Sequence, residues 1–537
     1  MEAVPALVAA AALLAVFFLY TLCLSPAAAA RRLRNAGFRG PPPSFPLGNL
    51  PEIASSLANY QNGNNKAAGG GVSSKDIHAA VFPYFARWRQ AFGKVFVYWL
   101  GTEPFLYVAD PEFLKAATAG ALGKLWGKPD VFRRDRMPMF GRGLVMAEGD
   151  EWARHRHIIA PAFSSTNLND MIGVMEETTS KMLGEWSGMV ASGQCSIDVE
   201  KGVVRNAAEI IAKASFGITD DDASGARVFH KLQAMQAMLF RSTRLVGVPL
   251  ASLLHIRGTY EAWKLGREID ALLLDIIEAR RRRRRDGGDG RKTTDLLALL
   301  LAGNEASAGA ERKLTTRELV DECKTFFFGG HETTALALSW TLLMLAAHPE
   351  WQAAVREEVV EVAGKSGPLD AAALARLTKM GCVLNEVLRL YPPSPNVQRQ
   401  ALQDVVVETE TTTAGGGSGK KKTAVIPRGT NMWIDVVAMH RDGELWGEDA
   451  NEFRPERFMR EAVQGGCRHR MGFVPFGFGG RICVGRNLTA MELRVVLAMV
   501  LRRFALEVAP EYRHAPRIML SLRPSHGIQL RLTPLRT

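Results

Sequence analysis

Residues 476–485 read Phe476-Gly477-Phe478-Gly479-Gly480-Arg481-Ile482-Cys483-Val484-Gly485. One cysteine sits in a loop punctuated by glycine and arginine, directly before an apolar run of helical character. A thiolate stays ionised only where positive potential and backbone N–H groups face it. Glycines let the main chain approach something large and flat, and Arg481 can pair with a carboxylate. Seen alone, such a cysteine is more often a buried structural residue than a ligand.

The surrounding chain has 537 residues, 47% apolar, 8% aromatic and 23% charged, which excludes a disordered tail, a collagen-like fibre and a multi-span membrane protein. Six cysteines, at 23, 195, 323, 382, 467 and 483, form no CxxC pair, so structural zinc and a disulfide scaffold are not expected. Of the net charge of +12, the runs Arg280–Arg285 and Lys420–Lys422 carry nine positive charges. Runs in such Gly-rich or polar surroundings read as solvated loop faces, and no aromatic residues interleave them, so no nucleic-acid partner is expected.

From Val4 to Leu24 the sequence is apolar, broken only by Pro5, Tyr20, Thr21 and Cys23. As a helix it spans about 31 Å, enough for a bilayer core. Arg31, Arg32 and Arg34 follow, whereas only Glu2 precedes, so the positive-inside bias leaves the body cytosolic. A cleaved secretory signal ending near Ala27–Ala30 is the alternative; the absence of a basic leader and the length of the apolar stretch argue against it.

The expected division is a membrane anchor over 1–30, a basic and Pro-rich strap over 31–50, and one large body over 51–537. Asn62–Ser74, Arg280–Arg291 and Glu408–Lys422 read as surface insertions or mobile loops. Thr315-Thr316-Arg317-Glu318 is a capping box opening a long apolar helix that Pro349 stops. A second helix is expected over Leu374–Leu390, with strands near Val405–Glu408, Thr423–Ile426 and Ile528–Leu532. The fold class is mainly α with a minor β region.

Several motifs fail when counted. His331-Glu332-Thr333-Thr334-Ala335 has Ala where a zinc protease needs its second His, the GGGSGKKK stretch lacks the P-loop spacing, and Gly477-Phe478-Gly479 lacks the third glycine of a dinucleotide fingerprint. His155 and His157 fall on different helix faces and would not share a metal.

The spacing F-x-x-G-x-R-x-C-x-G does not fail. It resembles the haem-thiolate signature of the cytochrome P450 monooxygenases. Glu386-Val387-Leu388-Arg389 resembles that family's ExxR, and Arg457, in FRPERF, the third member of its ion-pair cluster. Trp152-Ala153-Arg154-His155-Arg156 resembles its WxxxR, and Gly329-Gly330-His331-Glu332-Thr333-Thr334 its oxygen-activation motif. The likeness runs from anchor to last strands.

It implies the family's fold, a long central helix over haem b beside a small β subdomain, preceded by one transmembrane helix. Cys483 would be the axial iron ligand, with Phe476, Gly479 and Gly485 shaping its loop. Trp152, Arg156, Arg399 and Arg481 would hold the haem propionates. Thr333 and Glu332 would deliver protons, with two glycines thinning the helix beside the haem. Implied partners are an NADPH–cytochrome P450 reductase, the lipid bilayer of the endoplasmic reticulum and a small hydrophobic substrate.

Phe326–Phe328, Met137–Phe140 and Pro395–Val397 either line an apolar pocket or are ordinary core. The stretches WGKPDVF, GLVMAEGDEW, FFFGGHETTA and HRDGELWGEDANEFRPERF resemble the plant clan that hydroxylates hormones and terpenoids. A cytokinin- or gibberellin-type isoprenoid hormone is the expected substrate. A fatty-acid hydroxylase, a reductase-independent enzyme rearranging a hydroperoxide, and a non-enzymatic haem sensor are the alternatives.

Overall fold

The 32-residue helix Thr316–Ala347 organises the rest of the body. A computed structural model describes residues 3–64, 77–194, 196–217, 223–241, 246–249, 251, 256–285, 295–306, 313–410, 421–461 and 463–535. The expected capping box forms: Thr315 Oγ1 accepts from the Glu318 amide at 3.2 Å, and Glu318 Oε2 accepts from the Thr315 amide at 2.7 Å. His348 ends the helix, because Pro349 opens the next one, Pro349–Ala363. At 32 residues and about 1.5 Å per residue, the central helix crosses the core. It packs against Val199–Phe216, Thr378–Leu390 and Arg486–Arg503.

Among the described residues the minor β region is one five-stranded sheet and three small ones. In the larger sheet, Val95–Leu100 and Glu103–Val108 form a hairpin, Asn431–Asp435 joins it in parallel, and Asn396–Ala401 and Trp126–Gly127 follow antiparallel. This sheet carries Arg399 in its fourth strand. The third expected strand appears as Gln529–Pro534, between Phe504–Val508 and Ile197–Asp198.

Four expectations about boundaries change. The helix expected over Leu374–Leu390 divides at Leu377 into Ala371–Arg376 and Thr378–Leu390. The 31–50 strap is helical at its start: Ser25–Asn35 continues the apolar segment, and Ala30 and Leu33 are buried against the body. Arg280–Arg285 is the end of the helix Ile256–Arg285 rather than a loop. There Arg280 pairs with Asp295 at 3.0 Å and donates to Phe216 O, a partly buried tie that a composition rule cannot see. The edges of Glu408–Lys422 are strand, with Thr409 opposite Lys422 and Glu410 opposite Lys421. The centres of that patch and of the other two, 411–420, 65–76 and 286–294, lie outside the described residues.

Candidate active site

Short-range hydrogen bonds give the cysteine loop its shape. Val474 O accepts from Gly477 N at 3.0 Å, Gly479 O from Ile482 N at 3.2 Å, and Phe476 O from Cys483 N at 2.9 Å. Gly477 and Gly479 hold φ of +75° and +64°, the left-handed region that disfavours other residues. Gly485 caps the helix Arg486–Arg503 with ordinary φ, and a Cβ there would meet only Phe163 at 3.8 Å.

Cys483 is exposed, whereas Cys323, Cys382 and Cys467 are buried. Burial nevertheless leaves its thiol pKa above the ordinary value. The Gly485 and Arg486 amides and the charges of Arg156 and Arg486 pull it back down. The loop therefore supplies the donors that a thiolate requires.

Trp152 and Arg156 reach this loop from the helix Gly149–Ile159. Arg156 donates to Ile482 O at 2.8 Å. Arg481 lies 4.8 Å above the Trp152 ring and donates to Ala147 O. Gly480 leaves room for the same indole, since a Cβ would stand 3.3 Å from it. Arg399 is buried, 5.9 Å above the Phe478 ring, and burial followed by the Arg481 charge lowers its pKa to about 10. Among the described residues no carboxylate forms an ion pair with Arg399 or Arg481.

The central helix contributes a complementary face. It is buried nearly all round, yet Gly329 is exposed and Gly330 and Thr333 are half-buried. Thr333 donates to Gly329 O at 2.7 Å, as a hydroxyl one turn on can. Gly330 serves packing as well: a Cβ would stand 2.7 Å from Ile211 Cδ1. Thr334 Oγ1 lies 3.3 Å from Thr489 Oγ1, six residues beyond Cys483, so the two motifs are neighbours in space.

Glu332 points elsewhere on the helix and is buried. It accepts from Ser521 Oγ at 2.6 Å, pairs with Arg523 at 3.2 Å and accepts from Gln236. These partners carry no recognisable motif; only the folded chain brings them to Glu332.

The ExxR residues lie behind the cysteine loop, fully buried. Arg389 grips Glu386 with two bonds of 2.7 Å and donates to the carbonyls of His440, Ala450 and Glu452. Arg457 stands 3.6 Å from Glu386 and pairs with Asp449 at 2.7 Å. The three residues meet as expected. His440, which sequence reasoning passed over, joins them to the cysteine loop by accepting from the Val474 amide at 3.0 Å.

The aromatic run divides. Phe326 meets Phe163, Phe327 meets His331 and Phe328 meets Phe140. Successive helix residues are about 100° apart, so the three rings do not line one pocket.

An accessible thiol faced by amides, two guanidinium groups with no carboxylate ion pair among the described residues, and an opened helix face suit a flat, metal-bearing dicarboxylate. The site thus has the character of a haem-thiolate centre. The sequence model of the cytochrome P450 family matches residues 71–532. The chain is 34% identical to cytochrome P450 714C3 of Oryza sativa subsp. japonica, covering 100% of both chains. It is 34% identical to a cytokinin hydroxylase of Arabidopsis thaliana over 95% of this chain and 94% of that one. With cytochrome P450 734A1 of Arabidopsis thaliana it shares 32% identity over 91% and 89% of the two chains. The chain belongs to the cytochrome P450 family. It is a monooxygenase of the haem-iron type, with one N-terminal helix long and apolar enough to cross a membrane.

Proposed function

We propose that this enzyme hydroxylates a small isoprenoid plant hormone or its precursor, of cytokinin or gibberellin type. Electrons would come from NADPH through cytochrome P450 reductase at the endoplasmic reticulum, with the body cytosolic. The anchor occupies residues 1–30, the strap 31–50 and the haem-binding body 51–537, the strap starting as helix. The substrate class is supported by full-length similarity to a protein named cytokinin hydroxylase.

The observation that carries the chemistry is Cys483, open on one side and faced by the Gly485 and Arg486 amides. Cys483 would hold the iron, and Arg156, Trp152, Arg399 and Arg481 the propionates. Bound haem supplies the oxygen-inserting chemistry that no side chain can perform. Thr333 holds a proton at Oγ1, now donated to Gly329 O and free to turn towards the open face. Glu332, anchored by Ser521, Gln236 and Arg523, would resupply that hydroxyl. Phe140 and Phe328 would exclude water and orient the substrate.

The test is co-expression of the full-length protein with a plant reductase in microsomes, given NADPH and pooled isoprenoid hormones and fatty acids. A hormone product heavier by one oxygen and dependent on NADPH supports the reading. Oxygenation of fatty acids alone, or conversion of added hydroperoxides without NADPH, overturns it in favour of the corresponding alternative.

A further inference from the structure

We infer that Trp340, Tyr391, His514 and Tyr512 form a relay that carries stray oxidising equivalents from the active site to a reductant in solution. The inference rests on the haem reading above and gives the chain a second, self-protecting function.

The relay starts on the central helix. Trp340 lies seven residues beyond Thr333, which is two turns and about 10.5 Å along the axis, on the same side of the helix. It is fully buried, and its indole N–H donates to Leu522 O at 3.1 Å. Ser521, which holds Glu332, precedes Leu522 on the same strand. The indole is stacked on the buried Tyr391 ring, with centroids 4.5 Å and planes 16° apart. Tyr391 Oη lies 3.4 Å from Nε2 of His514, and Tyr512 Oη lies 2.9 Å from Nδ1 of the same ring. Tyr512 brings the series to the surface, half-buried between the exposed Glu511 and Arg513.

Indole and phenol can each give up one electron and regain it with the carbon skeleton unchanged. A phenol does so readily only where its proton has somewhere to go. Burial, then the Arg441 charge, pushes the His514 pKa down to about 4, so the imidazole is neutral. Its Nδ1 lone pair accepts the Tyr512 hydroxyl, which leaves the Nε2 proton facing Tyr391. Arg441 also stands 5.5 Å above the Tyr391 ring. A cation there disfavours an electron-poor ring, which makes Tyr391 a bridge and Tyr512 the resting place.

Oxygen-activating chemistry supplies the oxidant whenever no substrate takes it up. One electron leaves the Trp340 indole, and one from Tyr512 replaces it across Tyr391 and His514. The Tyr512 O–H bond breaks and its proton passes to His514 Nδ1, leaving a neutral phenoxyl beside an imidazolium. A thiol or enediol reductant in solution returns one electron to the phenoxyl, and the imidazolium returns the proton. The four side chains end as they began, and the reductant has lost one electron.

The experiment mixes the haem-loaded, full-length protein in detergent with a peracid, which oxidises the site without NADPH or substrate. Rapidly frozen samples are read by electron paramagnetic resonance, and haem bleaching is followed in parallel. Wild type is expected to give a tyrosyl signal, identified by its narrowing in protein made with ring-deuterated tyrosine. Tyr512→Phe, which removes one hydroxyl near the surface, is expected to lose that signal and to bleach faster than wild type. Trp340→Phe, which keeps a buried ring, is expected to do the same. Glutathione should quench the wild-type signal and slow bleaching in wild type but not in Tyr512→Phe. No tyrosyl signal in wild type overturns the inference. So does an unchanged signal in either variant, or bleaching of Tyr512→Phe at the wild-type rate. Protein that takes up no haem contradicts the haem reading itself, and its missing absorption band shows this before peracid is added.

Discussion

Val474 donates its amide to Nε2 of His440 at 3.0 Å, while Nδ1 of the same ring donates to Arg389 O at 3.2 Å. A neutral imidazole thus ties the buried ion-pair cluster to the first residue of the cysteine loop's hydrogen-bonded frame. Burial, then the Arg389 charge, pushes the His440 pKa down to about 3.

The sign follows from linkage. The unfolded chain binds this proton from about pH 6.5 downward, whereas the folded chain resists it until about 3. The stabilisation is complete above pH 6.5 and is lost as pH falls towards 3. His440→Gln, which keeps a donor and an acceptor, should lose less on acidification. Between pH 6.5 and 4.5 the variants should diverge by about 2 kcal/mol, at ~1.4 kcal/mol per pH unit. Urea melts across that interval would show it, and parallel pH dependences would contradict it.

His155 should act in the opposite direction. Burial alone would lower its pKa, but hydrogen bonds and charges from Glu322 and Glu318 outweigh burial and raise it. Its Nδ1 lies 2.6 Å from Glu322, and its Nε2 3.2 Å from Glu318. This stabilisation is complete below about pH 6.5 and is lost as pH rises through the elevated folded value. Replacing His155 with Gln should flatten the alkaline side of the stability profile between pH 6.5 and 8.5. A variant that loses stability there as steeply as wild type does would assign the alkaline limb to another group.

Arg389→Leu strands Glu386 as a buried charge and should cost about 3–5 kcal/mol. The double variant Glu386→Leu/Arg389→Leu should recover part of that loss, because the stranded charge goes with it. Chemical denaturation of all three proteins gives the comparison. Additive losses would mean that the pair is not a unit.

Cys483→Ala should abolish the thiolate-type spectrum of the reduced, CO-bound protein without unfolding the chain. The loop that carries the thiol is fixed by main-chain bonds to the carbonyls of Phe476 and Gly479. An unchanged spectrum in the variant would assign the iron to another ligand.

Thr333→Ala removes only a back-bond to Gly329 O from the helix. Its melting temperature should stay near that of wild type while product per NADPH consumed falls, by about 10²-fold if Thr333 is the proton donor. Glu332→Gln should lower the same yield and weaken the ties to Ser521 and Arg523. Product yield and NADPH consumption falling together in Thr333→Ala would instead indicate a substrate-binding role.

What the sequence made legible was local in the chain. The cysteine loop, the ExxR pair, the Trp152–Arg156 spacing and the capping box each need fewer than a dozen residues to declare themselves. Arg399 declared itself less clearly, because the strands beside its own, Trp126–Gly127 and Asn431–Asp435, come from distant parts of the chain. Arg280 was misjudged for the same reason: its partner Asp295 lies beyond a polar stretch, so the run looked solvated. For the Phe326–Phe328 triplet, pocket wall and ordinary core stayed equally open until the helix phase sent its rings to three neighbours. Ser521 and Arg523 lie far beyond Glu332 and announce nothing until the chain folds.

The segment from Ala3 to Asn35 is helical without interruption, through one π-type stretch at Tyr20–Leu24, and ends with Ala30 and Leu33 seated in the body. A body joined in this way is carried on a spoke rather than a cord. Its azimuth about the spoke is fixed by helical phase, so that one residue inserted after Leu24 would swing it by about 100° and raise it by about 1.5 Å. The enzyme would then present a different side to the lipid headgroups with every residue of its fold unchanged.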